Sequence, residues 1–261
     1  MSRNIRLLIA YDGSNYRGWQ RQRQGETIQG ELEKRLTLLS GEPITVHGAG
    51  RTDAGVHALG MVAHFHTTTT FPVTAYFKGL NSMLPRDIRI LGAEVVAADF
   101  HSRFSALGKT YRYDFFTGAV QLPSARLYRA HLPGTFDPGR LEAGLAALIG
   151  THDFSSFERT GSRDKSATEG RGAVRTLFQA SCFPQLGCAD CWSLRLTGDG
   201  FLRQMVRILA GTLIEMGQGK RPPEELTALL AAQDRRLAGL TAPACGLFLE
   251  KIYYPTPFSP Q

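Results

Sequence analysis

The chain is poor in cysteine, lacks long apolar runs and carries fewer acidic than basic residues, and each shortage removes a class of protein. Four cysteines in 261 residues (Cys182, Cys188, Cys191 and Cys245) are too few and too late for the disulfide framework of a small secreted domain. No stretch approaches the ~20 apolar residues of a membrane span, so no membrane partner is expected. The start, Met1-Ser2-Arg3-Asn4, runs directly into an alternating apolar segment and shows no charged, apolar and small-residue leader. A cytoplasmic protein is therefore expected. Asp and Glu number 23 against 30 Lys and Arg, giving a net charge of +7 and a pI near 9.4. That balance favours a polyanionic partner through counterion release, although many basic proteins bind no nucleic acid. Hydrophobic content of 43% and charged content of 20% describe an ordinary globular chain, long enough to bury a core.

Hydrophobic periodicity predicts an α+β protein. Residues 3–12 alternate, with Ile5, Leu7, Ile9 and Tyr11 on one strand face. Thr27 is placed to cap a helix with the stripe Ile28, Leu32, Leu36 and Leu39, closed by Gly41. Strands are predicted over 44–47 and 59–67, a helix over 72–84 and a strand over 88–96. The order is β-α-β-β-α-β, the split βαβ unit. The plan then repeats: a strand over 110–117, a helix capped by Asp137 and stopped at Gly150, strands over 173–183 and 191–197, a helix over 201–216, a short helix over 222–232 and a strand over 246–254. Two ferredoxin-like (RRM-like) halves are expected, residues 1–105 and 106–261. The segment Glu158–Gly172, rich in Ser, Thr, Gly and basic residues, reads as a mobile surface loop whose basic side chains can touch RNA phosphates. This plan hosts many functions, so function must come from a site.

Several motifs fail on inspection. Gly108-Lys109-Thr110 resembles the end of a phosphate loop, but the position five residues before Gly108 is Arg103. Gly48-Ala49-Gly50 lacks the third glycine of a dinucleotide fingerprint, because Asp53 occupies its place. Cys188-Ala189-Asp190-Cys191 has metal-ligand spacing, with Cys182 and Cys245 available to complete a tetrahedral site. A deaminase would also need Glu two positions after a His or Cys, and none of the seven His or four Cys is so followed. Reduced, partly buried thiols are expected instead, with no metal. His57, His64 and His66 have no carboxylate spacing that supports a metal site, and read as core or surface histidines.

The informative segment is 47–58, His-Gly-Ala-Gly-Arg-Thr-Asp-Ala-Gly-Val-His-Ala. Three glycines and three alanines surround Arg51 and Asp53 between two strands. Small residues let backbone approach a bulky ligand and permit positive φ. The plainer alternative is a tight hairpin in which Arg51 and Asp53 form a local ion pair; composition does not choose between them.

Residues 50–58 resemble the catalytic motif of the tRNA pseudouridine synthase A family. The similarity continues at 11–20 (YDGSNYRGWQ), 104–113 (FSALGKTYRY), 152–157 (HDFSSF) and 201–207 (FLRQMVR), in family order over nearly the whole chain. The resemblance implies the pseudouridine synthase fold, with a large mostly antiparallel sheet and a central cleft. It implies isomerisation of uridine to pseudouridine in the anticodon arm, at tRNA positions 38 to 40, by a homodimer that needs no cofactor. Asp53 matches the catalytic carboxylate. Arg51 matches the arginine that fills the space of the flipped base and holds phosphates, Arg207 the arginine paired with the nucleophile, and Tyr111 the residue stacked on uracil. Arg203 is expected on RNA phosphate. The chain departs from the family in the lengthened 158–172 segment and in the Cys182–Cys191 hairpin.

These residue types suit that reaction. The N1–C1′ bond breaks, the uracil turns and rejoins through C5, and the base must first leave its stack at a cost of a few kcal/mol. A carboxylate can act at an anomeric carbon, as in retaining glycosidases. Uracil leaves as a delocalised anion, so one carboxylate suffices without a partner acid. Desolvation by small neighbours disfavours a charged carboxylate, which therefore needs a cation nearby. Parity puts Tyr113 on the same strand face as Tyr111, so spacing alone does not select the stacking residue. Two rivals remain: a catalytically silent RNA-binding protein with twin RRM-like halves, which would carry exposed aromatic RNP motifs not found here, and an RNA N-glycosidase, which would want a second acidic group.

Overall fold

A computed structural model describes residues 2–162 and 171–258. Along the chain come β1 (Arg3–Tyr11), α1 (Ile28–Ser40), β2 (His47–Gly48), β3 (His57–Thr67), α2 (Leu80–Met83) and β4 (Ile88–Val96). They are followed by β5 (Gly108–Phe116), β6 (Ala130–His131), α3 (Glu142–Leu148), β7 (Gly150–Asp153), β8 (Val174–Pro184), β9 (Cys191–Gly198), α4 (Met205–Gly217), α5 (Glu225–Ala232) and β10 (Leu247–Tyr253). The chain packs as two compact units, residues 1–109 with 248–261, and residues 110–247.

In the first unit the strand order is β4-β1-β3-β10, with β2 paired to β3. β1 lies antiparallel between β3 (Leu7 opposite Ala63) and β4 (Leu7 opposite Ala93). Ile5, Leu7 and Ile9 are fully buried on one face of this central strand, and Asn4 and Arg6 on the other face are buried as well. β10 adds in parallel at the start of β3, Phe248 opposite His57. Helix α1 begins as its sequence requires: the Thr27 hydroxyl accepts from the Gly30 N–H at 3.2 Å, and Gly41 closes it at φ 74°. The helix expected over 72–84 forms with a π-helical interior, Ala75–Gly79, ahead of α2. The strand expected over 44–47 is reduced to His47–Gly48.

In the second unit the order is β5-β9-β8-β7, with β6 paired in parallel to β5. β8 and β9 form the expected antiparallel hairpin, Cys182 opposite Leu194. The short strands β6 and β7 carry too few residues for a periodicity signal. Helix α4 differs from expectation twice. It starts at Met205 rather than Phe201, because Gln204 adopts φ 62°, a left-handed conformation that no helix continues through. It is also covered on nearly every face, including Val206, Ala210, Gly211 and Ile214, and so is a central helix rather than an amphipathic one. Pairing is mostly antiparallel in both units, and the α+β class is as expected. Among the described residues no helix is long and apolar enough to cross a membrane. Of the Glu158–Gly172 segment, residues 163–170 lie outside the described ones.

Candidate active site

Asp53 sits on the connection between β2 and β3, and the chain on either side is pinned. Upstream, the Ala49 N–H donates to the Val62 carbonyl at 2.8 Å. Downstream, the Val56 N–H donates back to the Asp53 carbonyl at 3.2 Å, closing a turn in which Gly55 takes φ 76°. Asp53 is half-buried, Thr52 buried and Arg51 exposed. Arg51 makes no ion pair among the described residues; the hairpin reading that needed one with Asp53 is not what forms.

What holds this loop is the segment 11–20. The Trp19 N–H donates to the Thr52 carbonyl at 3.1 Å, and the Tyr11 and Thr52 hydroxyls share a hydrogen bond at 2.8 Å. Thr52 is thus held by backbone and side chain at the position before Asp53. Gly18 has φ 88°, and a Cβ there would lie 2.5 Å from the Thr52 carbonyl oxygen. Gly13 passes so close to Val56 that a Cβ would fall 2.0 Å from its carbonyl oxygen. The clamp is tied in turn to α1, whose first amides, Ile28 and Gln29, donate to the carbonyls of Gly18 and Trp19 at 3.2 and 3.0 Å.

Of the motif's three glycines, Gly55 takes the positive φ expected of such residues, while Gly48 and Gly50 serve another purpose. Gly48 and Gly50 do not take positive φ. A Cβ on Gly48 would meet the Trp19 ring at 2.5 Å, and one on Gly50 the Lys109 ammonium at 2.9 Å. They make room for the protein's own side chains. Lys109 donates to the Ala49 carbonyl at 2.7 Å, bracing the loop at its upstream end. His57, 1% exposed, accepts the Gly13 N–H at Nδ1 (3.1 Å) and stacks on Phe248 at 4.7 Å, in keeping with a core histidine. Sequence reasoning did not single out Tyr11, Trp19, Gly18 or Lys109 as supports. Their only signal was membership of the blocks 11–20 and 104–113.

In the second unit, Tyr111 and Tyr113 share β5 but not an environment. Tyr113 is fully buried and its hydroxyl donates to the Pro243 carbonyl at 2.9 Å; burial pushes its pKa well up. Tyr111 stays at the margin, 9% exposed, with its ring edge-on to Phe201 at 5.0 Å. Arg207 lies in the first turn of α4, and its Nε donates to the Ala242 carbonyl at 2.7 Å. The Ala242 N–H donates back to the Arg207 carbonyl, and Gly211 lets residues 240–242 lie against the helix, where a Cβ would be 1.9 Å from the Leu240 oxygen. Arg203 is exposed and precedes the helix, outside the part of the expected 201–216 span that forms.

The cysteines correct another expectation. Cys188 and Cys191 form a disulfide at the β8–β9 turn, so that pair is not reduced, and their sulfurs are committed to each other. Cys182 and Cys245 are not disulfide-bonded, and burial pushes the Cys182 thiol up to about 12. Among the described residues no group of three or more His, Cys, Asp or Glu is arranged to hold a metal ion.

The structure thus presents an acidic residue on a braced loop, in a chain of two mostly antiparallel α+β units. Residues 7–105 and 145–255 match the family model described as tRNA pseudouridine synthase. The chain belongs to the tRNA pseudouridine synthase family, whose members are isomerases. It is 52% identical over 252 residues to "tRNA pseudouridine synthase A 1" of Desulfotalea psychrophila, covering 97% of this chain and all of that protein. It is 44% identical to "tRNA pseudouridine synthase A" of Maridesulfovibrio salexigens, covering 96% of this chain and 90% of that one. The protein of the same name from Geotalea uraniireducens is 43% identical, over 97% and 100%.

Proposed function

We propose that this protein isomerises uridine to pseudouridine in the anticodon arm of tRNA, at positions 38 to 40, with Asp53 as the reacting carboxylate. The observation that carries the reading is the clamp on Thr52, which restrains the backbone of Asp53 before any substrate arrives. Preorganisation of a reacting group lowers the entropy lost on reaching the transition state. In this reading Arg51 occupies the space vacated by the flipped base. Tyr111 stacks on the uracil, worth about 1–3 kcal/mol. Arg207 supplies positive charge for the carboxylate and Arg203 holds a phosphate. No cofactor is required, because bond cleavage and rejoining occur within one nucleotide. The working form is a homodimer acting in the cytoplasm.

The test uses purified protein and tRNA transcripts without added metal. Pseudouridine should appear in the anticodon arm, and Asp53→Ala should abolish turnover while still binding tRNA. Binding without conversion by the native protein would make it an RNA-binding module. Release of free uracil would make it an N-glycosidase.

A further inference from the structure

A cavity in the second unit lies before α4, and none of the residues assigned to the reaction lines it. Its volume is about 490 Å³, enough for a nucleotide, and three of its lining residues are Arg159, Arg235 and Arg236. Among the described residues no carboxylate lines it; Glu158 lines the adjoining recess of about 50 Å³. The three guanidinium groups are held differently. Arg235 donates to the Ala238 carbonyl at 3.2 Å and to the Thr241 hydroxyl at 3.1 Å, which fixes it and braces the cavity wall. Arg236 is 88% exposed and bound on one side to Asp234 at 2.6 Å. Arg159 is exposed and makes no side-chain hydrogen bond or ion pair among the described residues. Its backbone is nonetheless anchored, the Arg159 N–H donating to the Arg203 carbonyl at 3.0 Å.

One further feature points to a nucleotide rather than to a bare ion. Leu240, 78% exposed, lines the same cavity and offers an apolar surface beside the cations. Gln204, with φ 62°, also lines it, and a non-glycine residue in that region persists only where its surroundings hold it there. With Asp234 on one side of Arg236 and Arg235 tied to the wall, Arg159 and the open side of Arg236 are the cations left to the cavity, and an open basin of this kind suits a phosphodiester.

We propose that this cavity binds a backbone phosphate of the RNA substrate, with its nucleoside against Leu240, as a subsite separate from the reacting uridine. The proposal rests on the tRNA-modifying reading above. It names an interaction that steadies the RNA while the uridine reacts.

The experiment is tRNA binding by the full chain across a salt series. Removing one protein–phosphate interaction lowers the slope of log K against log salt by roughly 0.7–0.9. The double variant Arg159→Gln/Arg236→Gln should lower the slope by about that amount and weaken binding about tenfold at low salt. Arg159→Lys with Arg236 intact should restore the slope, since a point charge suffices. Arg126→Gln, an exposed arginine elsewhere in the unit, serves as control and should leave the slope unchanged. Arg159 and Arg236 are exposed, so an unchanged melting temperature is expected and excludes misfolding as the cause. A double variant indistinguishable from Arg126→Gln overturns the proposal. So does a site that answers only to inorganic phosphate, seen as phosphate-dependent thermal stabilisation lost in the double variant with no change in the tRNA slope. If native protein binds tRNA with the expected slope yet forms no pseudouridine, the catalytic reading fails and the subsite stands.

Discussion

Gly18 shows how a residue outside the acidic motif can govern it. Its φ of 88° and the 2.5 Å that would separate a Cβ from the Thr52 oxygen leave no conformation in which alanine fits without moving backbone. Gly18→Ala should therefore cost about 1–3 kcal/mol of stability and lower kcat by displacing Thr52 and with it Asp53. Urea unfolding and single-turnover kinetics measure the two effects. A variant that is destabilised but reacts at the native rate would remove the positioning role of segment 11–20. At this scale much was legible: the Arg-Thr-Asp stretch stood out because small residues flank two charges. What supports it was not, because Trp19 and Lys109 approach the loop from 29 and 60 positions away from Gly48 and Ala49 respectively, and periodicity carries no record of such approaches.

Elements were readable where a local rule dominates. Helix α1 has its cap, stripe and terminator within one window, and each acts as its chemistry requires. Thr27→Ala removes the side-chain acceptor for the Gly30 N–H and should cost about 1 kcal/mol, visible as a lowered urea midpoint. Because α1 presents its first amides to Gly18 and Trp19, the same variant tests whether fraying reaches the clamp; turnover at 25 °C should hold while the midpoint falls. Helix α4 was readable as an element but not in its start, since the left-handed Gln204 follows from packing around residues 201–204 and not from propensity. β6 and β7, of two and four residues, exist only through their partners β5 and β8. No local signal could have announced them.

At the scale of the whole molecule, stability should depend on pH through a histidine cluster in the first unit. His64 is 2% exposed, and His47, His66 and His101 surround its ring at centroid distances of 5.1, 5.9 and 4.6 Å. Burial first, then the charges of His101, His47 and His66, lowers its pKa to about 4. The unfolded chain, near the ordinary value of 6.5, binds a proton that the folded protein refuses. Folded stability is thus complete above about 6.5 and is lost as pH falls towards 4, by roughly 3 kcal/mol. Thermal melts from pH 7 to 4 should show that decline, and His64→Gln should flatten it. A native slope retained by the variant would assign the decline to other groups.

The sequence by itself determined the α+β class, most strands and helices and the family, because hydrophobic period, capping chemistry and contiguous motifs are local properties of a chain. Only the tertiary structure decided what Gly48 and Gly50 make room for, which of two same-face tyrosines is fully enclosed, where α4 begins and which arginines gather at one cavity. Each of those depends on atoms brought together from distant positions, and burial and close approach arise only once the chain has packed.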